Sequence, residues 1–97
     1  MPQTPTSKVP GADMADTLKA LAHPLRMAIV VLLRQEGRLS VGAICQRLQS
    51  EQSLTSHHLK HMRLSQLLYA DREGKQVFYH LRPETLEKII DFLSGLT

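Results

Sequence analysis

The stretch Ser53-Leu-Thr-Ser-His-His-Leu-Lys-His-Met-Arg63 is the part of the chain around which the predicted fold is organised. At helical pitch, Thr55, Leu59 and Met62 fall on one face, with His58 beside them. The opposite face carries short hydroxyls, imidazole and cationic side chains, at Ser53, Ser56, His57, Lys60 and Arg63. Hydroxyl and imidazole groups can reach base edges, while Lys and Arg can meet phosphate. The pattern favours a helix that lies in a groove of double-stranded DNA, although a solvated surface helix could carry the same residues.

The bulk composition is that of one small globular domain. A chain of 97 residues can build a modest core, and a homodimer would bury more surface. The single cysteine excludes an internal disulfide and a cysteine-rich zinc module. No apolar run near the start resembles a signal peptide, and no segment approaches membrane-spanning length. We therefore expect a soluble, cytoplasmic protein with no membrane partner.

The net charge of +3 is unevenly distributed along the chain. Residues 38–82 hold seven Lys or Arg against three acidic residues, whereas residues 83–97 hold one basic residue against three acidic ones. The positive excess thus coincides with the stretch quoted above. This is a modest electrostatic indication of a nucleic-acid partner.

The first part of the chain predicts a tail followed by two helices. Residues 1–12 are rich in Pro, Thr and Ser and are expected to form a flexible tail, with a single domain over 13–97. A first helix is predicted to begin at Asp13, a plausible N-cap. Pro24 opens a second helix that reaches Gln35. Apolar residues lie almost all round this second helix, which predicts a central position in the domain.

The middle of the chain predicts a helix-turn-helix. Ser40 can cap a third helix that reaches about Gln49. A short polar break, Gln49-Ser-Glu-Gln52, then leads into the helix quoted above. Two short helices joined this tightly, the second with a polar outer face, are typical of that motif.

After Ser65 the pattern changes from helical to alternating. Two alternating runs flank Glu73-Gly74-Lys75, which predicts a β-hairpin with a tight turn. Pro83 then opens a last helix, whose wide apolar stripe needs a surface to cover. The fold class that follows is mainly α with a β-hairpin wing (α+β): a winged helix-turn-helix of about five helices.

Four stretches in register resemble the ArsR/SmtB family of bacterial transcriptional repressors. They are Leu21-Ala-His-Pro-Leu-Arg-Met-Ala-Ile29, Leu39-Ser-Val-Gly-Ala-Ile44, Ser53-Leu-Thr-Ser-His-His-Leu59 and Arg72-Glu-Gly-Lys-Gln-Val-Phe-Tyr-His-Leu81. The resemblance implies a homodimer, joined through the first and last helices, that represses transcription by binding a palindromic operator. One departure is Gln66, at a position where the family commonly has glycine after the recognition helix.

The resemblance also assigns roles to individual residues. The family's DNA-reading positions fall on Gln52, Ser53, Thr55, Ser56, His57 and His58, and its wing positions fall on Arg72, Lys75 and Gln76. Lys60 and Arg63 are expected to neutralise phosphate, as are Arg72 and Lys75. The dimer interface is expected at Leu18, Leu21, Leu86, Ile89, Ile90 and Leu93.

The family's two familiar metal sites have no counterpart in this sequence. The third-helix site usually takes a Cys-x-Cys at the positions of Ser40 and Gly42, which supply no thiolate. The closing-helix site falls on Pro83, Thr85 and Leu96, with no residue for its fourth ligand. We therefore predict neither a metal nor another cofactor.

Several single residues leave alternatives open. Cys45 is the candidate for a redox switch, although its place on an apolar helix face favours a structural role. His57 and His61 have the i, i+4 spacing of zinc ligands but lack a third ligand. Arg26 fits either a salt bridge or a phosphate contact.

The sequence carries no enzyme signature, such as a glycine-rich phosphate loop, an HExxH motif or a nucleophile with an identifiable base. We therefore do not expect an enzyme. Besides the DNA-binding repressor, two functions remain open: a protein-interaction module on a winged-helix scaffold, and a metal-responsive repressor with non-standard ligands.

Overall fold

The structure is a computed structural model that describes residues 12–97. It contains five helices, α1 (Ala12–Leu21), α2 (Pro24–Glu36), α3 (Val41–Leu48), α4 (Gln52–Leu64) and α5 (Pro83–Ser94). Its three strands are β1 (Arg38–Ser40), β2 (Leu68–Glu73) and β3 (Gln76–Leu81). The five helices and the hairpin wing confirm the predicted fold class. None of the helices within this range is long and apolar enough to cross a membrane.

The predicted N-terminal tail lies outside the described residues, except for Ala12. That residue already belongs to α1, so the helix begins one position earlier than expected. Asp13 is therefore in the first helical turn and is not the N-cap, which corrects the prediction. An acidic side chain in the first turn still complements the positive end of the helix dipole.

Local sequence signals explain the bounds of α2 and α3. Pro24 is the first residue of α2, and Nδ1 of His23 accepts a hydrogen bond from the backbone N–H of Leu25. α2 ends at Gly37, whose φ of 92° suits a residue without a side chain. Ser40 caps α3 as predicted, because its Oγ accepts a hydrogen bond from the backbone N–H of Ala43 at 3.2 Å.

β1 is an element that the sequence analysis missed. It pairs antiparallel with β3, and the strand order is β1-β3-β2. A strand of three residues is too short to show the alternation by which strands are recognised. Ser40 ends β1 and caps α3, so the sheet of the wing is joined directly to the helix-turn-helix.

The predicted hairpin is present, and its turn is one residue shorter than predicted because Glu73 belongs to β2. Glu73 pairs with Gln76, which leaves Gly74 and Lys75 as a two-residue connection between β2 and β3. Gly74 has a φ of 64°, a conformation that glycine adopts without strain. The turn sequence thus fixes the register of the wing.

The core joins all five helices to the start of the hairpin. Its buried apolar residues are Ala20, Ile29, Leu32, Leu33, Ile44, Leu59, Met62, Leu67, Leu68 and Ile89. α2 contributes three of them, as expected of a central helix. Met27 and Val31 are nevertheless exposed on α2, so the helix is not buried on every side as its composition predicts.

Candidate nucleic-acid interface

Helix α4 exposes a polar face along its length. The exposed polar residues of this face are Gln52, Ser53, Ser56, His57, Lys60 and Arg63. No acidic residue occurs between residues 52 and 64. Glu51 precedes the helix and caps it, because its Oε1 accepts a hydrogen bond from the backbone N–H of Leu54 at 3.1 Å. The face therefore offers hydrogen-bond donors and cations to an anionic partner.

The structure corrects two of the predicted DNA contacts, Thr55 and His58. Thr55 is fully buried, and its hydroxyl lies 2.7 Å from the hydroxyl of Ser50. This hydrogen bond ties the first turn of α4 to the segment that follows α3. His58 is also buried, with 6% of its surface exposed. Both side chains lie on the buried face of α4 and hold the helix in place. Neither can reach a base edge from its position.

His58 is held by side chains from α2. Its Nδ1 accepts a hydrogen bond from Nε of Arg26 at 2.8 Å, and Nη1 of Arg26 donates to the carbonyl of Ala20 at 3.1 Å. The ring of His23 packs against that of His58, with 4.3 Å between the two centroids. Burial, and then the nearby charge of His23 and Arg26, lowers the pKa of His58 below its ordinary value. Arg26 thus joins α2 to α4 and α1, which is neither of the roles considered from sequence.

The wing exposes all three of its predicted contact residues, Arg72, Lys75 and Gln76. The strand ends beside the turn are fixed by Arg38, whose two Nη atoms donate to the two carboxylate oxygens of Glu73 at 2.7 and 2.8 Å. The guanidinium also lies 4.0 Å from the ring centroid of Phe78. The paired hydrogen bonds lower the pKa of Glu73 and raise that of Arg38. Sequence patterns do not predict this clamp, because its two charged residues lie far apart in the chain.

The histidines and the cysteine do not assemble a metal site in the part of the chain described here. No group of three or more His, Cys, Asp or Glu side chains within residues 12–97 is placed to hold a metal ion. The rings of His57 and His61 lie 5.8 Å apart, centroid to centroid. Cys45 is partly exposed on α3 with a free thiol. Its role as a redox switch stays a prediction.

Helix α5 leaves apolar side chains uncovered. Ile90 is 59% exposed and Leu93 is also exposed, while Leu18, Leu21 and Leu86 are partly buried against the core. Ile89 is only 7% exposed and packs within the core of its own subunit. Its assignment to a dimer interface is therefore corrected. The remaining exposed residues form an apolar surface of the kind that marks interaction sites.

Comparison with known proteins identifies the family to which this fold and polar helix belong. The family model described as "Bacterial regulatory protein, arsR family" matches residues 23–69, from the cap of α2 to the start of β2. The transcriptional repressor PagR of Bacillus anthracis is 38% identical over 87% of this chain and 84% of its own length. This chain belongs to the ArsR family.

Solved structures of related regulators share the fold of this ArsR-family chain. HlyU from Vibrio cholerae is 32% identical, with a TM-score of 0.76 over 92% of this chain and 96% of HlyU. Mb0332 from Mycobacterium bovis, a possible ArsR-family regulator, is 26% identical, with a TM-score of 0.76 over 97% of this chain and 86% of its own. Its solution structure is described as a homodimeric winged helix-turn-helix DNA-binding domain. The family resemblance is confirmed, and with it the predicted class of function, transcriptional regulation.

Proposed function

We propose that two copies of this chain form a homodimer that represses transcription by binding a palindromic operator. The two α4 helices would enter successive major grooves, about 34 Å apart. PagR is named a transcriptional repressor, and Mb0332 is described as a homodimer. The observation that carries the proposal is the exposed face of α4, which combines hydroxyl, imidazole and cationic groups without a carboxylate.

The exposed residues divide by chemistry into two groups. Gln52, Ser53, Ser56 and His57 carry groups that can both donate and accept hydrogen bonds, so they suit base edges. The cations suit phosphate, and they are Lys60 and Arg63 on α4 with Arg72 and Lys75 on the wing. Gln76 adds an amide beside the wing cations. The wings would lie against the backbone or minor groove that flanks each half-site.

Fluorescence-anisotropy titration tests the proposal, with DNA from upstream of the chain's own gene compared with random DNA of equal length. We expect preferential binding whose affinity falls steeply with salt. Lys75→Ala should weaken binding to both DNAs alike and lower the salt slope by about one. Ser56→Ala should instead reduce the preference for the operator by about fivefold. Undetectable or salt-insensitive binding would favour the protein-interaction module.

The dimer is proposed to form through the apolar surface of α5 and the neighbouring α1 residues Leu18 and Leu21. Ile90→Asp tests this, because the exposure of Ile90 in the single subunit lets the variant fold while an interface would bury its charge. An unpaired buried charge costs roughly 3–5 kcal/mol. We expect monomers in sedimentation velocity, and dimers for the neighbouring variant Lys88→Ala. A dimer that survives Ile90→Asp would place the interface elsewhere.

A further inference from the structure

A cluster of two histidines and one arginine joins the start of α2 to the rear of α4, with His58 buried, Arg26 partly buried and His23 exposed. His58 and Arg26 are linked by the hydrogen bond at 2.8 Å, and His23 packs on the ring of His58. Because Nδ1 of His58 accepts this bond, its proton in the neutral form is on Nε2. His23 uses its own Nδ1 in the same way, to accept the backbone N–H of Leu25 at 3.1 Å. Both imidazoles must therefore be neutral for the cluster to keep its hydrogen bonds.

Protonation would remove these bonds. A protonated imidazole has no lone pair at Nδ1 and cannot accept a hydrogen bond from Arg26 or from the cap of α2. The new charge on His58 would also lie beside the guanidinium of Arg26. Buried charge without a partner is costly, because water no longer solvates it.

The surroundings of His58 offer no compensating negative charge within the described part of the chain. The groups that act on its charge are Arg26 and His23 from α2 and its cap, and His57 and His61 from α4 itself. All four are cationic when charged. α1 contributes the carbonyl of Ala20, which is already engaged by Arg26. α3 and β2, which also pack against α4, add no ionised group to this set.

We propose that this cluster makes the placement of the recognition helix sensitive to acid, so that operator binding is lost as the pH falls. At neutral pH the bond between Arg26 and His58 holds the middle of α4 against α2. On acidification the cluster gains charge, its hydrogen bonds break, and α4 is released from its fixed position. Arg26 is thus a positioning residue for DNA recognition. The DNA part of this inference rests on the proposed function.

The direction of the pH dependence follows from comparing the pKa of His58 in the folded chain with its pKa in the unfolded chain. The pKa of His58 in the folded chain lies below its ordinary value, which is about 6.5 in an unfolded chain. The cluster therefore contributes its full stability above about pH 6.5, and that contribution is lost as the pH falls.

The first experiment requires no DNA. Nitrogen-15 NMR of the imidazoles in the full chain, from about pH 8 to about pH 5, should show His58 as the Nε2–H tautomer, with a pKa below the ordinary histidine value of about 6.5. Thermal unfolding over the same range should show a loss of stability in the parent that His58→Asn reduces. Asparagine places an acceptor oxygen near the position of Nδ1 and does not titrate. His61→Asn is the matched control, because His61 is exposed on the same helix, and it should behave as the parent.

The second experiment measures operator affinity by anisotropy at about pH 7.5 and about pH 5.5. Acidification should weaken binding severalfold more in the parent and in His61→Asn than in His58→Asn, because only His58→Asn keeps an uncharged acceptor beside Arg26. Equal losses in the parent and His58→Asn would overturn the proposal, as would a His58 whose pKa does not lie below the ordinary histidine value. If His58→Asn does not fold, the NMR titration of His58 in the parent chain still tests the proposal. If the parent binds no DNA at neutral pH, the proposed function fails, while NMR and unfolding still test the cluster.

Discussion

The two faces of α4 carry similar functional groups in opposite environments. Ser56 and His57 are exposed on the outer face, whereas Thr55 and His58 are buried on the inner one. Each face thus has one hydroxyl and one imidazole, on adjacent residues in the outer pair and one helical turn apart in the inner pair. On the inner face the hydroxyl bonds to Ser50 and the imidazole to a guanidinium, so both act as ties within the subunit. The direction in which a side chain points, and not its residue type, therefore decides whether it holds α4 in place or is available to a binding partner.

The largest difference between the faces is expected for their leucines. Leu59 is fully buried, and Leu59→Ala should lower the free energy of unfolding by about 2–5 kcal/mol, because it leaves a cavity in the core. Leu54 is 48% exposed on the same helix, and Leu54→Ala should cost less than about 1 kcal/mol. Urea unfolding followed by circular dichroism measures both. Similar losses for the two variants would mean that the faces do not differ in packing.

A smaller difference is expected for the hydroxyls. Thr55→Val keeps the shape of the side chain but leaves the hydroxyl of Ser50 without its partner, so it should cost about 1–2 kcal/mol. Ser56→Ala should change stability by no more than about 0.5 kcal/mol. The double variant Ser50→Ala with Thr55→Val should recover part of the loss, because it removes both partners. A loss in the double variant equal to the sum of the single losses would disprove the tie.

The smallest effect is expected at Gln66, just beyond α4. The side chain and the backbone carbonyl of this residue lie in different environments. The side chain of Gln66 is exposed, while its carbonyl accepts a hydrogen bond from Oγ1 of Thr85 at 2.6 Å. Its φ of 66° is left-handed, which costs a residue with a side chain about 1 kcal/mol. Gln66→Gly should raise stability by up to about 0.5 kcal/mol, since the flexible unfolded chain offsets part of the gain. Differential scanning calorimetry should show no such gain for Gln66→Ala, which keeps the strained φ.

The helix bounds and the hairpin could be predicted because their signals are local. Pro24, Gly37, Ser40 and Gly74 each mark a cap or a turn within a few residues of the element that they bound. The departure at Gln66 was also visible in the sequence, and the structure keeps the left-handed backbone there without glycine. The left-handed turn after α4 is therefore present although the chain lacks the glycine that would have predicted it.

The candidate site was predicted less completely, for physical reasons. Helical periodicity places Thr55 with Leu59 and Met62, as the structure confirms, but the family positions also assign Thr55 and His58 to DNA. Burial decides against those two assignments. The partners of these residues come from other elements, and periodicity within one helix does not identify them. Ile89 shows the same limit, because a wide apolar stripe does not distinguish the core of one subunit from a contact with another.

The clamp between Arg38 and Glu73 has a consequence for the DNA site proposed above. Ser40 ends β1 and caps α3, so the clamped sheet is joined to the helix-turn-helix without an intervening loop. We expect the distance between the hairpin and α4 to be set when the chain folds. Little conformational entropy should then be lost when the two elements contact a duplex. For a DNA-binding pair of such subunits, we therefore expect a fixed distance in base pairs between the contact in the major groove and the contact at the flank. Operators that differ in base sequence should then be bound more readily than operators that differ in this spacing.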